Sequence, residues 1–369
     1  MPRAFELEAA EAVYRVLRRI LFARSAGEAH QLVIKQLGLL DRRVALCRAA
    51  AYYRRRSVST ARIGRVSLDS PLILAAGLVK GEGFATQEAA LRAVREGRNI
   101  IPGWRSVPAL VGPVEMGSFT PRPRLGNAGQ VLWRDTGGRN LLNRVGLRNP
   151  GAAAAAAFLA ERSDALPDIY GISIASDPDQ ADPSRRDADT AGAVRRFVEA
   201  GLRPSWTTVN ISCPNVPQGY AHAALPEEVA RLCRAVRDEL AEETALWVKV
   251  GPDVGAGRYG PIAQAAVEGG AEAIVATNTA PGRLSGSGTG VGVGGACLHP
   301  RALRVVEELM VARAESGTMW EVVGCGGVLD GASYQAFRDR GAKAVQYWSA
   351  LVFRGPTVPA LILSEAARL

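Results

Sequence analysis

From residue 71 onward, short continuous apolar runs alternate with helical segments. The runs are 71–77, 110–117, 168–174, 206–211, 245–250, 273–277, 320–324 and 344–348, each followed by small or polar residues. The stretches between them at 86–95, 152–160, 191–200, 226–240, 259–267, 300–311 and 332–340 carry helical spacing. Apolar strands with no polar face, separated by helices, indicate a parallel sheet covered on both sides. Eight strand–helix repeats predict a (β/α)8 TIM barrel. A doubly wound open sheet is the alternative.

Before residue 71 the pattern is different. Residues 8–23 place Ala9, Val13, Val16, Leu17, Ile20 and Leu21 at helical spacing, and residues 28–40 do the same with Ala29, Leu32, Val33, Ile34, Leu37 and Leu40. Two amphipathic helices follow, then an arginine-rich connector over 54–66. The expected organisation is an N-terminal helical extension, residues 1–56, and a barrel domain, residues 57–369.

Charge adds to this picture chiefly at the N-terminal end. The chain carries a formal +9, and Arg15, Arg18, Arg19, Arg24, Arg42, Arg43, Arg48 and Arg54 to Arg56 all fall within the first sixty residues. Two readings of the basic helices stand: docking on an anionic membrane surface, or simple capping of the barrel. Nucleic acid is disfavoured, because only 6% of residues are aromatic and the arginines are not interleaved with stacking rings. No apolar stretch reaches the roughly eighteen residues a spanning helix needs, and no signal peptide is recognisable. Cys47, Cys213, Cys233, Cys297 and Cys325 show no CxxC spacing, which argues for a reducing compartment and against structural zinc. The expected location is the cytoplasm, with peripheral contact on the cytoplasmic face of the membrane.

Active sites of such barrels are built from the carboxyl ends of the strands. The residues there are Ala75, Ala76, Gly77 and Lys80 after the first run, and Ser118 with Thr120 after the second. Asn210, Cys213 and Asn215 follow the fourth, Lys249 lies in the fifth, and Thr277, Asn278 and Thr279 end the sixth. Gly326 and Gly327 follow the seventh, and Ser349 the eighth, which is where these barrels hold a phosphate on backbone N–H groups. Cys213 between two amides reads as a nucleophile or base flanked by binding groups, or as a buried free cysteine in a turn. His30, His222 and His299 lie off the strand ends, and no carboxylate cluster has ligand spacing, so no metal is expected. A lysine, amides and a phosphate site suit an organic cofactor, and flavin mononucleotide (FMN) fits best. For Lys249 the alternative is an ion-paired or snorkelling lysine at a strand end.

Over about residues 8–360 the chain resembles the dihydroorotate dehydrogenases. The resemblance rests on Ala75-Ala-Gly with Lys80, Thr120-Pro-Arg-Pro with Gly126-Asn127, Asn143-Arg-Val-Gly-Leu and Asn210-Ile-Ser-Cys-Pro-Asn. It continues through Val248-Lys-Val-Gly-Pro-Asp, Ala276-Thr-Asn-Thr, Gly324-Cys-Gly-Gly and Val345-Gln with Ser349. It implies orotate contacts at Lys80, Asn143, Asn210, Asn215, Asn278 and Thr279. It implies FMN contacts at Ala75, Ala76, Gly77, Ser118, Lys249, Thr277, Gly326, Gly327 and Ser349. The implied reaction removes a proton from C5 of dihydroorotate with Cys213 as base while hydride passes from C6 to flavin N5. The helical extension, Thr120-Pro-Arg-Pro and Phe353-Arg-Gly-Pro resemble the membrane-associated class, which hands electrons to a quinone under such helices, whereas a cysteine base resembles the soluble class. Quinone is the expected acceptor. Departures are Ser173 where the family usually has asparagine, Leu298 in a segment that has lost its usual ending, and Trp348 where tyrosine is common. They leave open a paralogue acting on another cyclic amide. A barrel binding a phosphorylated ligand without redox chemistry is the reading from another class.

Overall fold

The computed structural model describes residues 4–55, 59–211 and 225–369. Eight parallel strands close into a barrel: β3 (Leu72–Leu74), β4 (Val114–Phe119), β7 (Tyr170–Ala175), β8 (Trp206–Asn210), β9 (Ala245–Val250), β10 (Ala273–Ala276), β13 (Glu321–Cys325) and β14 (Ala344–Tyr347), with β14 pairing back onto β3. Every one of the eight apolar runs supplies a strand, and the closed barrel replaces the open-sheet alternative. The helices around it are α4 (Gln87–Arg95), α5 (Ser106–Val111), α6 (Ala152–Ala160), α7 (Pro183–Glu199), α8 (Pro226–Glu239), α9 (Tyr259–Glu268), α10 (His299–Ser316), α11 (Gly331–Asp339), α12 (Ser349–Arg354) and α13 (Val358–Ala366). Their starts are set locally. Asp182 caps α7 ahead of Pro183, Thr86 caps α4, and Asp330 with Ser333 forms a capping box on α11.

The barrel interior is filled in layers by alternate residues of each strand. At the amino end Trp206 and Trp247 stack with centroids 4.7 Å apart. Trp206 fits only because its neighbour on β7 is Gly171, where an added Cβ would lie 2.1 Å from the indole. A hairpin of β1 (Ala61–Ile63) and β2 (Val66–Leu68) seals this end, packing Ile63, Val66 and Leu68 against the two tryptophans and Ile73. The next layer up is polar: Glu115, Thr208, Lys249 and Gln346, all buried.

Three features depart from the sequence expectation. The 110–117 run begins in α5, because Gly112 with φ of +97 and then Pro113 break the chain before β4 can start. A third helix, α3 (Val44–Arg55), follows α1 (Ala4–Phe22) and α2 (Ala26–Leu40) and takes in the first two residues of the expected connector, whose later residues carry β1 and the start of β2. An antiparallel sheet of β5 (Leu132–Asp135), β6 (Asn140–Asn143), β11 (Ala280–Arg283) and β12 (Gly290–Gly295) stands at the carboxyl rim.

The extension is fastened to the barrel at both ends. On α1, Tyr14 donates to the Val352 carbonyl at 2.8 Å, Arg18 donates to that of Phe353, and Glu11 pairs with Arg354 at 2.6 Å. Arg354 also grips Glu365 of α13 at 2.6 Å. Below α2, the buried Asp41 carboxylate accepts from Asn99, from the backbone of Gly103, Arg105 and Ser106, and from the Ser106 hydroxyl. It thereby caps the start of α5 with a charge from another element. Asp41→Ala, which leaves these donors unmet, is expected to lower stability by about 3 kcal/mol. Thermal unfolding reads the loss, and limited proteolysis is expected to cut within residues 4–55 before the barrel.

Candidate active site

A cavity of about 360 Å³ opens at the carboxyl rim and extends beneath α1 and α2. That volume lies within the range of small-molecule and cofactor sites. The closed barrel forces all eight strand ends to this rim, so residues far apart in sequence meet here. Ala75, Ala76, Gly77 and Lys80 line the cavity after β3, Ser118 on β4, Asn143 on β6, Asn210 on β8 and Lys249 on β9. Thr277, Asn278 and Thr279 line it after β10, Gly326 and Gly327 after β13, and Ser349 at the start of α12. All the expected site residues that are described therefore share one cavity. Cys213 and Asn215 lie outside the described residues.

The rim side chains form an oriented chain of hydrogen bonds. The Thr279 N–H donates to Asn278 Oδ1 at 2.8 Å, Asn278 Nδ2 donates to Asn210 Oδ1 at 3.2 Å, and Asn210 Nδ2 donates to Ser118 Oγ at 3.3 Å. Ser118 Oγ lies 2.7 Å from Ser173 Oγ. A backbone N–H can only donate, so it fixes the first amide, and each amide then fixes the next. Asn143 is turned inward by its bond to the Gly292 carbonyl at 3.3 Å, which ties β6 to β12 beside it.

Lys249 is 6% exposed. Its ammonium donates to Gln346 Oε1 at 2.8 Å and approaches Cys325 Sγ at 3.5 Å. Burial pushes the Cys325 thiol up from its ordinary pKa, against the pull of Lys249, so it accepts as a neutral thiol.

Nearby the chain is cut back to bare backbone. Gly295, Gly326 and Gly327 have φ of +107, +136 and +70, and a Cβ on Gly327 would meet His299 Cβ at 2.6 Å and the Gly295 carbonyl at 2.7 Å. Only glycine fits these positions, and the cradle sits beside the start of α12. A glycine cradle for a phosphate, a buried cation and a rim of amides and hydroxyls together match the demands of FMN.

A roof of N-terminal helices is as expected, but the residues it brings to the cavity are new. Tyr14, Leu21 and Phe22 of α1 and Ala26, Ala29, His30 and Val33 of α2 close the far side, with Arg134 of β5 beneath them. Arg134 lies 4.3 Å from the Phe22 ring centroid and donates to the carbonyls of Leu21 and Arg24. His30, set aside because it is remote from any strand end, faces this cavity from α2. The 3.6-residue period that places Ala29 and Val33 inward carries the same information for His30. Leu298 and Trp348, two departures from the family pattern, also line the cavity. Arg122 and Arg124, by contrast, pair with the buried Asp177 at 2.7 and 3.1 Å. Among the described residues no group of His, Cys, Asp and Glu is arranged to hold a metal, and no helix is long and apolar enough to cross a membrane.

A model of the dihydroorotate dehydrogenase family matches residues 104–369. The dihydroorotate dehydrogenase (quinone) of Parvibaculum lavamentivorans is 35% identical over 269 residues, covering 70% of this chain and 73% of the relative. That of Bordetella avium is 30% identical over 366 residues, 94% of each. Among solved structures, the DHODH of Eimeria tenella in complex with ferulenol superposes with a TM-score of 0.70 at 21% identity, over 84% of this chain and 83% of that one, a likeness of fold. Barrel and relatives together define the class, a flavin-dependent oxidoreductase. Within it, the chain belongs to the dihydroorotate dehydrogenase family, in its quinone class.

Desolvation, reinforced by the positive charges of Lys80 and Arg148, lowers the pKa of His30 to about 4, so the ring is neutral at pH 7. In the unfolded chain it titrates near 6.5. The folded form therefore binds fewer protons between these values, and the stability His30 contributes is present above pH 6.5 and lost as pH falls toward 4. Denaturant titrations from pH 7 to 4 are expected to show a shallower decline for His30→Asn than for the parent.

Proposed function

We propose that the protein oxidises dihydroorotate to orotate with FMN as cofactor and passes the electrons to a quinone. The observation that carries this reading is the single cavity joining a polar barrel rim to an apolar chamber under two amphipathic helices. Lys80, Asn143, Asn210, Asn215, Asn278 and Thr279 hold the substrate's carboxylate and ring amides. Ala75, Ala76, Gly77, Ser118, Lys249, Thr277, Gly326, Gly327 and Ser349 hold the cofactor. The cofactor supplies the two-electron acceptor that no side chain offers. Lys249 places a positive charge where a reduced ring becomes negative. Cys213 takes the C5 proton, and a thiol with an ordinary pKa near 8.5 does so best at alkaline pH.

The roof suits a lipophilic acceptor. Its cavity side is apolar apart from Tyr14, His30 and Arg134. The outward side exposes Val13, Val16, Leu17 and Ile20 among the arginines of α1, which suits peripheral contact with an anionic bilayer. A second reading, favoured by the Ser118–Ser173 hydroxyl pair where a larger amide is usual, is the oxidation of a different cyclic amide in the same pocket.

An anaerobic experiment separates them. Bleaching of the flavin band by L-dihydroorotate, with recovery on addition of a soluble quinone, is the expected result. A yellow protein that does not bleach points to the other cyclic amide, and a colourless one to a barrel without redox chemistry. Cys213→Ala is expected to retain flavin and lose most of the reductive half-reaction at neutral pH, roughly a hundredfold or more. Cys213→Ser is expected to be slower with a more alkaline profile. Flavin reduction by Cys213→Ala at the parent rate would remove the cysteine from its role as base.

A further inference from the structure

One buried ionisable group in the barrel has no part in the chemistry above. Glu115 on β4 is fully enclosed, in the layer directly above the stacked tryptophans. Its Oε2 accepts from Trp206 Nε1 at 3.0 Å, Thr208 Oγ1 at 2.6 Å and Gln346 Nε2 at 2.9 Å. Its Oε1 has no hydrogen-bond partner among the described residues. An enclosed carboxylate is costly unless its charge is answered.

The geometry around Gln346 shows what answers it. An amide has one donating and one accepting end. With its Nε2 turned to Glu115, the Gln346 side chain presents Oε1 to Lys249, whose ammonium donates to it at 2.8 Å. An indole N–H can only donate, so Trp206 keeps Oε2 an acceptor and the amide cannot turn over without setting its own oxygen against it. Carboxylate, amide and ammonium thus form one directed chain from the barrel interior to the cavity floor. Both charges are buried, and each lies one amide away from the other.

Building on the FMN reading, we propose that Glu115 is a positioning residue for the cofactor. Through Gln346 it fixes where the Lys249 ammonium sits at the floor of the cavity, and it supplies a counter-charge for keeping that ammonium buried. Glu115 touches neither cofactor nor substrate, so its effect on either passes through Lys249.

The test is a coupling measurement on FMN binding, by fluorescence quenching of free FMN against reversibly stripped protein, with anaerobic flavin reduction as a second readout. Glu115→Gln keeps the shape and the acceptor that faces Trp206, and removes the charge. It is expected to weaken FMN binding about tenfold or more. The same substitution in a Lys249→Met background is expected to change little further. Moving the carboxylate one link along, in Glu115→Gln/Gln346→Glu, is expected to restore much of the loss, which a merely structural role for Glu115 does not predict. If Glu115→Gln does not fold, Gln346→Leu breaks the chain while leaving two of the three Glu115 donors, and the same non-additive loss with Lys249→Met is expected. An equal loss in both backgrounds, or none in either, overturns the proposal while the FMN reading stands. A parent protein that takes up no FMN overturns both.

Discussion

In a closed parallel barrel the strands share one carboxyl rim, and the space they enclose must be filled from within. Here the lower part is filled by two stacked indoles, admitted by a glycine on the neighbouring strand and sealed by a short hairpin. Water is thereby excluded beneath the polar layer. Glu115, Thr208, Lys249 and Gln346 are therefore answered by one another and by the Trp206 indole below, and Lys249 reaches the cavity above. The direction of the site follows: apolar floor, internally paired polar layer, then the rim of amides and glycines open to a ligand.

The roof obeys a different constraint. Helices with exposed apolar faces gain little by lying on a barrel rim unless specific contacts hold them, and each has its own. Arg354 clamps α1 through Glu11 while braced by Glu365, and Asp41 holds the end of α2 by capping α5. Gly355, with φ of +85, leaves room for the Tyr14 ring, where a Cβ would lie 2.5 Å away. Arg134 and Phe22 complete the seam over the cavity. The roof is therefore held in place without apolar contact over its whole inner face, which leaves a chamber beneath it.

The barrel was legible because burial on both faces writes a continuous apolar run for each strand, and the one comparable run among the helices, 152–160, is set apart by its alanine content. The rim followed from the same runs, since a residue's place after a strand is its place at the site. The antiparallel sheet was not legible: β12 is mostly glycine and β11 contains Pro281, so the hairpin they form carries little strand signal, and the β12–β6 pairing that joins the two hairpins links residues distant in sequence. His30 and Arg134 were missed because they reach the cavity from a helix and a rim strand outside the repeating pattern. Glu115 and Gln346 are each a lone polar side chain in an otherwise apolar run. A buried strand seldom tolerates such a residue without a partner across the interior, and that signal was present in the sequence.

The clamp on the first helix also has a consequence in time. Tyr14, Arg18 and Glu11 find their partners at Val352, Phe353 and Arg354, more than three hundred residues later in the chain. During synthesis both roof helices emerge before the barrel, and α2 meets its anchor at residues 99–106 early, yet α1 cannot make its clamp until the last barrel strand and the helix after it have left the ribosome. For most of translation the inner face of α1 therefore stands without the partners that hold it. The enclosed chamber is the final part of the molecule to come into being.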